Sequence, residues 1–269
     1  MQLTPGKLQG IKRLSNKNGI FKMTAVDQRP PIKKPIAKYL NAKDAPWEEV
    51  AKFKKMLVES LQENSSALLL DPHFAIPYSM DILNPKKGLV VTLEDSIFSE
   101  TSGGRISRSI DHWSVSKIKR MGADAVKVLA WYRPDAEQKV LQAQQDYVQQ
   151  VGEECLKHDI LFLFELLVYP LSKDQNQTKE YVEMKNKKTD HVLQSVEEFS
   201  NHKYGVDVFK LESPVNAIGI SDNDINAFKE MGKLAARPWV MLSAGAGKED
   251  FKKVLELAFR AGCSGFLAG

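Results

Sequence analysis

The stretch AVKVLAWYRPDAEQKVLQAQQDYVQQVGEECLKHDILFLFELLVY, residues 125–169, decides the fold. It opens on a short run rich in β-branched and aromatic residues and turns at Arg133-Pro134-Asp135. A long amphipathic segment follows, and a second apolar run closes it at 161–169. Strand, helix, strand in that order is a crossover unit, and its two strands must lie parallel because the helix carries the chain back across the sheet. Both apolar runs are nearly continuous rather than alternating, as expected of strands covered on both faces.

The same alternation extends outward in both directions. The strand candidates are GIFKMTAVD (19–27), SALLLD (66–71), LVVTLE (89–94), AVKVLAWY (125–132), LFLFELLVY (161–169), VDVFKLESPV (206–215), WVMLSAG (239–245) and SGFLAG (264–269), eight in all. Helices with recognisable starts lie between them, with Pro46 in the first turn of DAPWEEVAKFKKMLVESLQ and Pro134 in the same role after the fourth strand. No linker, low-complexity tract or change of composition divides the chain, which predicts one (β/α)₈ TIM-barrel domain over residues 1–269. A doubly wound nucleotide-binding sheet would carry a glycine fingerprint after the first strand, where this chain has Asp27-Gln28-Arg29-Pro30. The sequence stops at Gly269, directly after the eighth strand, so that strand is expected to show an apolar face unless another element covers it, with reason for two copies to associate.

Composition narrows the function classes. Hydrophobic residues are 43% and charged residues 27%, with no apolar run near the ~20 residues of a membrane span. The net charge of +4 arises from cations interleaved with carboxylates, which excludes a basic nucleic-acid surface, while a slight positive excess suits an anionic small molecule. The amino terminus has no signal-peptide pattern, which predicts a cytoplasmic protein. Cys155 and Cys263 form neither a disulfide framework nor a metal spacing and read as structural thiols. His73, His112, His158, His191 and His202 are dispersed, so neither a metal nor another cofactor is expected, although His73 stands at the mouth of strand two.

The chemistry lies in charges placed inside strands: Lys127 in the fourth, Glu165 in the fifth, Lys210 and Glu212 in the sixth, with Asp27 closing the first and Glu94 the third. Buried ions need partners, so these groups should face one polar site; structural ion pairs filling the barrel would give the same pattern. Alternation puts Val208, Lys210 and Glu212 on one face of the sixth strand, assigned to the interior. A desolvated lysine beside a second cation has its ammonium pKa lowered and can attack a carbonyl, which makes Lys210 the candidate Schiff-base nucleophile and Lys127 its neighbour. Glu165, among Phe164, Leu166 and Leu167, is expected to have a raised pKa suited to proton exchange, while Asp27 and Glu94 would orient substrate hydroxyls. After the seventh strand, Ser243-Ala244-Gly245-Ala246-Gly247-Lys248 offers either a plain glycine turn or backbone N–H groups for a phosphate, together with the end of strand eight at Gly269.

Taken in order, AVDQR, SALLLDP, GADAVKVLAWYRPD, FELLVYP, VFKLESPVN, WVMLSAG and AGCSGFLAG resemble the class I tagatose 1,6-bisphosphate aldolases and their relatives that cleave 6-deoxy-6-sulfofructose 1-phosphate. The resemblance implies an imine on Lys210, proton shuttling by Glu165, Lys127 beside the imine, substrate contacts from Asp27 and Gln28, and a phosphate turn at Ser243 and Gly245. Dihydroxyacetone phosphate would be the common product, whether the partner product is glyceraldehyde 3-phosphate or sulfolactaldehyde. In the family the GFLAG strand leads into a phosphate-gripping arginine and the covering helix, neither of which lies within these residues. LLLDP, FELLVYP and the insert-bearing stretch 173–191 look closer to the tagatose type, while WYRPD and AGCSGFLAG also suit the sulfosugar relatives. Arg105, Arg108 and Arg133 are candidates for the distal anion, or else exposed solubilising residues. A binding protein that keeps the sugar-phosphate pocket without turnover is the other reading, and transaldolase-like or deoxyribose-phosphate aldolase-like barrels share the chemistry without the motifs.

Overall fold

A computed structural model describes residues 3–171, 174 and 189–269. Its eight parallel strands are β1 (Phe21–Val26), β2 (Ala67–Leu70), β3 (Gly88–Thr92), β4 (Ala125–Trp131), β5 (Leu161–Leu167), β6 (Val208–Leu211), β7 (Trp239–Met241) and β8 (Gly265–Ala268). Each pairs with its neighbour in sequence and β8 pairs back to β1, so the barrel is closed, as the strand count predicts. Closure depends on Gly265: its φ is +148°, and a Cβ there would stand 1.9 Å from the Phe21 carbonyl oxygen.

The described helices are α1 (Pro5–Leu14), α2 (Pro30–Tyr39), α3 (Trp47–Leu61), α4 (Ala75–Ser79), α5 (Val115–Arg120), α6 (Gln138–Lys157), α7 (Thr189–Phe199), α8 (Ile225–Ala235) and α9 (Lys248–Arg260). Alternation along the strands sends Met23, Leu69, Val90, Leu163 and Val208 into the barrel and Phe162, Phe164, Phe209 and Leu211 outward under the helices. Among the described residues no helix is long and apolar enough to cross a membrane. Phe266 and Ala268 on β8 are partly exposed. Burial pushes both thiols up, that of Cys263 to about 11, which leaves them inert at neutral pH.

Three local features differ from the sequence reading. The fourth outer helix starts at Gln138 rather than at Pro134, because Arg133 folds back onto Asp135 and holds the intervening residues in a turn. The connection after β3 carries a two-stranded antiparallel ribbon, Ser99–Thr101 with Gly104–Ile106, beside the mouth of the barrel. The leader forms α1 with Pro5 in its first turn; Asp159 accepts the N–H groups of Gly6 (2.9 Å) and Lys7 (3.3 Å) at its start. Lys7 pairs with buried Asp207 at 2.7 Å and Leu14 joins the inner core, so α1 stoppers the amino-terminal end of the barrel. Among the described residues, the barrel interior is thereby open at its carboxyl-terminal end. Most of the insert at 173–191 lies outside the described residues.

Candidate active site

At the carboxyl-terminal end a cavity of about 720 Å³ opens over the strand ends, and its floor is formed by Asp27, Glu94, Lys127, Glu165 and Lys210. The pairing register explains how they meet. Glu165 on β5 lies opposite Lys210 on β6, and Lys127 lies opposite Thr92 on β3. The Lys210 ammonium stands 2.9 Å from Glu165 Oε1, and Glu165 Oε2 stands 2.8 Å from the Lys127 ammonium. Lys127 also reaches Asp27 Oδ2 at 3.0 Å and Glu94 Oε1 at 2.6 Å. Thr92 Oγ1 donates to Asp27 at 3.0 Å, and Arg29 Nη2 donates to the Glu94 carbonyl at 3.0 Å and lies 3.7 Å from its carboxylate. Three buried cations, Arg29, Lys127 and Lys210, thus face three buried carboxylates, and this mutual pairing is the condition for a buried charge cluster to persist. The expected inward face of β6 is found at Val208 and Lys210, but Glu212 accepts the Val168 N–H at 2.7 Å and does not line the cavity.

The electrostatics correct one expectation. Burial by itself would push the Glu165 carboxyl up, but Lys127 and Lys210 on either side hold it below the usual value, so at neutral pH it is a carboxylate. Burial likewise opposes the charge on Lys127, yet Asp27, Glu165 and Glu94 together raise it well above an ordinary lysine and lock it as a cation. For Glu94 burial wins and its pKa is raised. Asp27 is held far down: burial opposes this, and Lys127, Lys210 and Arg29 outweigh it. A carboxyl depressed in the folded state stabilises the protein at pH values above its unfolded value of about 3.9, and that contribution is lost as pH falls through the lower folded value. The stability gap between the wild type and Asp27→Asn should therefore be level from pH 7 to about 5 and close below about 4 in urea titrations. A gap that closed between pH 7 and 5 would contradict the depressed pKa.

The turn after β7 sits on the same cavity through Ser243 and Gly245, with Gly269 at the end of β8. Ala244 and Gly245 both have positive φ, 46° and 76°, a strained pairing that turns the backbone back towards the cavity just before α9 begins at Lys248. Ser243 Oγ lies 3.4 Å from the Gly269 carbonyl oxygen, which draws the two phosphate-site candidates together. Gln28 also lines the cavity and donates to the Ala25 carbonyl at 3.3 Å.

The arginines expected at the distal end do not line it. Arg105 stacks among Phe98, Trp131 and Tyr169, its guanidinium carbon 4.6, 4.8 and 4.9 Å from their ring centres, and its backbone N–H donates to the Tyr169 hydroxyl. It supports the cavity wall through Phe98 and Trp131. Arg133 is taken up by Asp135, Asp174 and the Tyr169 carbonyl, and half-exposed Arg108 by Asp95. The cations that do line the mouth, besides Lys127 and Lys210 on the floor, are Arg29 and Lys34, which sequence reasoning passed over. The signal for Arg29 was its place two residues after Asp27 at a strand end, where barrel side chains turn onto the site. Arg29 Nη1 and Glu94 Oε2 are buried without a hydrogen-bond partner among the described residues, which marks this wall as unfinished. His73 does not line the cavity. Among the described residues no group of three His, Cys, Asp or Glu side chains is arranged to hold a metal ion.

The pattern of the DeoC/LacD family aldolases matches residues 21–269. Tagatose 1,6-diphosphate aldolase 1 of Streptococcus mutans serotype c is 32% identical over 282 residues, covering 100% of this chain and 85% of the relative. The tagatose 1,6-diphosphate aldolase of Lactococcus lactis subsp. lactis is 31% identical with the same coverage. Among solved structures, an archaeal fructose 1,6-bisphosphate aldolase superimposes with a TM-score of 0.66 at 17% identity, over 98% of this chain and 90% of the other. A Schiff-base-forming fructose 1,6-bisphosphate aldolase does so with a TM-score of 0.64 at 17% identity, over 98% and 91%.

Proposed function

Since the chain belongs to the DeoC/LacD family of aldolases, we propose that it cleaves tagatose 1,6-bisphosphate, reversibly and through an imine on Lys210, to dihydroxyacetone phosphate and glyceraldehyde 3-phosphate. The observation that carries this reading is the chain Lys210–Glu165–Lys127, with links of 2.9 and 2.8 Å, on the floor of the cavity. The Lys210 amine adds to the ketone carbon, and the resulting carbinolamine loses water to form the iminium. The C3–C4 bond then breaks as the C4 hydroxyl gives up its proton; its electron pair passes into the iminium and the aldehyde leaves. Protonation of the enamine at C3 and hydrolysis release the second product. Glu165, a carboxylate touching Lys210, is assigned the proton transfers, and Lys127, locked as a cation, keeps it ionised between turnovers.

Asp27, Gln28 and Glu94 face the hydroxyl-bearing part of the substrate. The 1-phosphate is assigned to Ser243 and Gly245, just before α9, where backbone N–H groups and the helix dipole favour an anion, and to Gly269 at the end of β8. Arg29 and Lys34 are placed at the second phosphate. The reaction is set in the cytoplasm, where ketose bisphosphates, too highly charged to cross a bilayer, are retained.

The test is release of dihydroxyacetone phosphate from tagatose 1,6-bisphosphate, fructose 1,6-bisphosphate and 6-deoxy-6-sulfofructose 1-phosphate, with and without chelator. The expected result is chelator-resistant cleavage, fastest for tagatose 1,6-bisphosphate. A preference for the sulfonated ketose would move the substrate assignment. Stabilisation by ligand without cleavage of any of the three would replace the enzyme reading with the binding-protein one.

A further inference from the structure

Lys54 lies on α3, fully buried and away from the cavity lining. Its ammonium donates to the Val26 carbonyl at 2.8 Å and pairs with Asp71. Asp71 is itself fastened, accepting the N–H groups of His73 at 3.0 Å and Phe74 at 2.8 Å, and the ammonium stands 5.8 Å from the Phe74 ring centre. Val26 and Leu70 are register partners at the ends of β1 and β2, so one buried cation ties the two strand ends together. The residue after Val26 is Asp27, whose carboxylate meets both Lys127 and Thr92 at 3.0 Å.

Fold stability alone does not call for a charge at this place. A buried ion pair stabilises a fold no better than packed apolar side chains of the same volume, and the turn after Asp71 needs only an acceptor, which asparagine also offers. What the ammonium adds is a hydrogen bond to the peptide that carries Asp27. We propose that Lys54 is a positioning residue for the aldol reaction: by fixing the Val26–Asp27 peptide from behind, it holds the Asp27 carboxylate against Lys127 and the substrate. The proposal rests on the Schiff-base reading, in which Asp27 works beside Lys127. A shift of Asp27 by about 1 Å would break the contact with Lys127, and misplacement on that scale costs roughly 10²-fold in rate.

The experiment compares Asp71→Asn with the double variant Lys54→Met, Asp71→Asn in the full chain, by melting temperature, kcat, KM and borohydride trapping with dihydroxyacetone phosphate. Asp71→Asn leaves the Val26 carbonyl to Lys54 and keeps the one oxygen that accepts both N–H groups, and it should melt lower, since the Lys54 charge loses its partner, with kcat within about twofold of wild type. The double variant should still trap the adduct at Lys210 with a similar KM, while kcat falls about 10- to 100-fold. Equal kcat in the two variants would overturn the proposal. Should the double variant not fold, Lys54→Gln is measured against the same criterion, and failure of both to fold makes Lys54 a folding residue and also overturns it. A wild type that neither traps nor cleaves would remove the Schiff-base reading itself, an outcome separate from equal variants.

Discussion

Replacing Lys210 by Met should lower retro-aldol kcat by at least about 10⁴-fold and abolish the borohydride-trapped adduct with dihydroxyacetone phosphate, because the covalent route is lost altogether. Stability should fall less than on loss of Lys127, which has three carboxylate partners. The contact that goes is the 2.9 Å pair with Glu165, and that carboxylate keeps Lys127 at 2.8 Å. The flexible methionine side chain fills the vacated space on the barrel floor. Mass spectrometry of the trapped protein locates the adduct. An adduct that persisted in this variant would assign the imine to another lysine and leave Lys210 as a structural cation.

Lys127→Met should have the larger effect on stability. Lys127 is the shared partner of Asp27, Glu94 and Glu165, at 3.0, 2.6 and 2.8 Å. Removing it leaves three buried carboxylates with Arg29 and Lys210 as their nearby cations. Breaking a buried ion pair from one side costs about 3–5 kcal/mol, which at this chain length lowers the melting temperature by on the order of 10 °C. The carboxylates should respond by taking up protons, Glu165 among them, since the cation that most strongly opposes its desolvation is gone. Calorimetry at pH 7 and pH 5 separates the effects: the destabilisation should shrink at the lower pH as the carboxyl groups neutralise. A loss independent of pH would mean that lost packing dominates. Activity should also fall, because Glu165 enters the cycle protonated.

The barrel was legible because it is written in a repeated local signal. Near-continuous apolar runs such as 161–169, each followed by a turn and an amphipathic segment, specify a parallel sheet wherever they occur, and eight of them leave few other ways to bury the faces. That Lys127, Glu165 and Lys210 meet was legible for a related reason: an ion in the middle of a buried strand is costly enough to need partners from other strands. Alternation then predicted the inward face at Val208 and Lys210. Its extension to Glu212 failed because β6 ends at Leu211, and beyond the ladder the period of two no longer holds.

Other features needed the closed barrel. The leader helix α1 is polar along most of its length and earns its place through Asp159 and Asp207, partners more than 150 residues away. Arg105, Arg108 and Arg133 are equivalent as letters; that none of them lines the cavity was decided by the aromatic and acidic neighbours that the fold supplied. The sign of the Glu165 shift belongs to the same class. Its own neighbours in sequence are apolar and argue for a raised pKa, while the two ammonium groups that lower it arrive from β4 and β6. By itself, then, the sequence determined the architecture and which charged side chains must share one polar site, because hydrophobic period and the penalty on buried charge act over a few residues. Only the tertiary structure decided the ionisation of the site, the cations at its mouth and the Lys54 tie behind Asp27, because Coulomb and hydrogen-bond energies depend on distances of about 3 Å between strands and helices far apart in the chain.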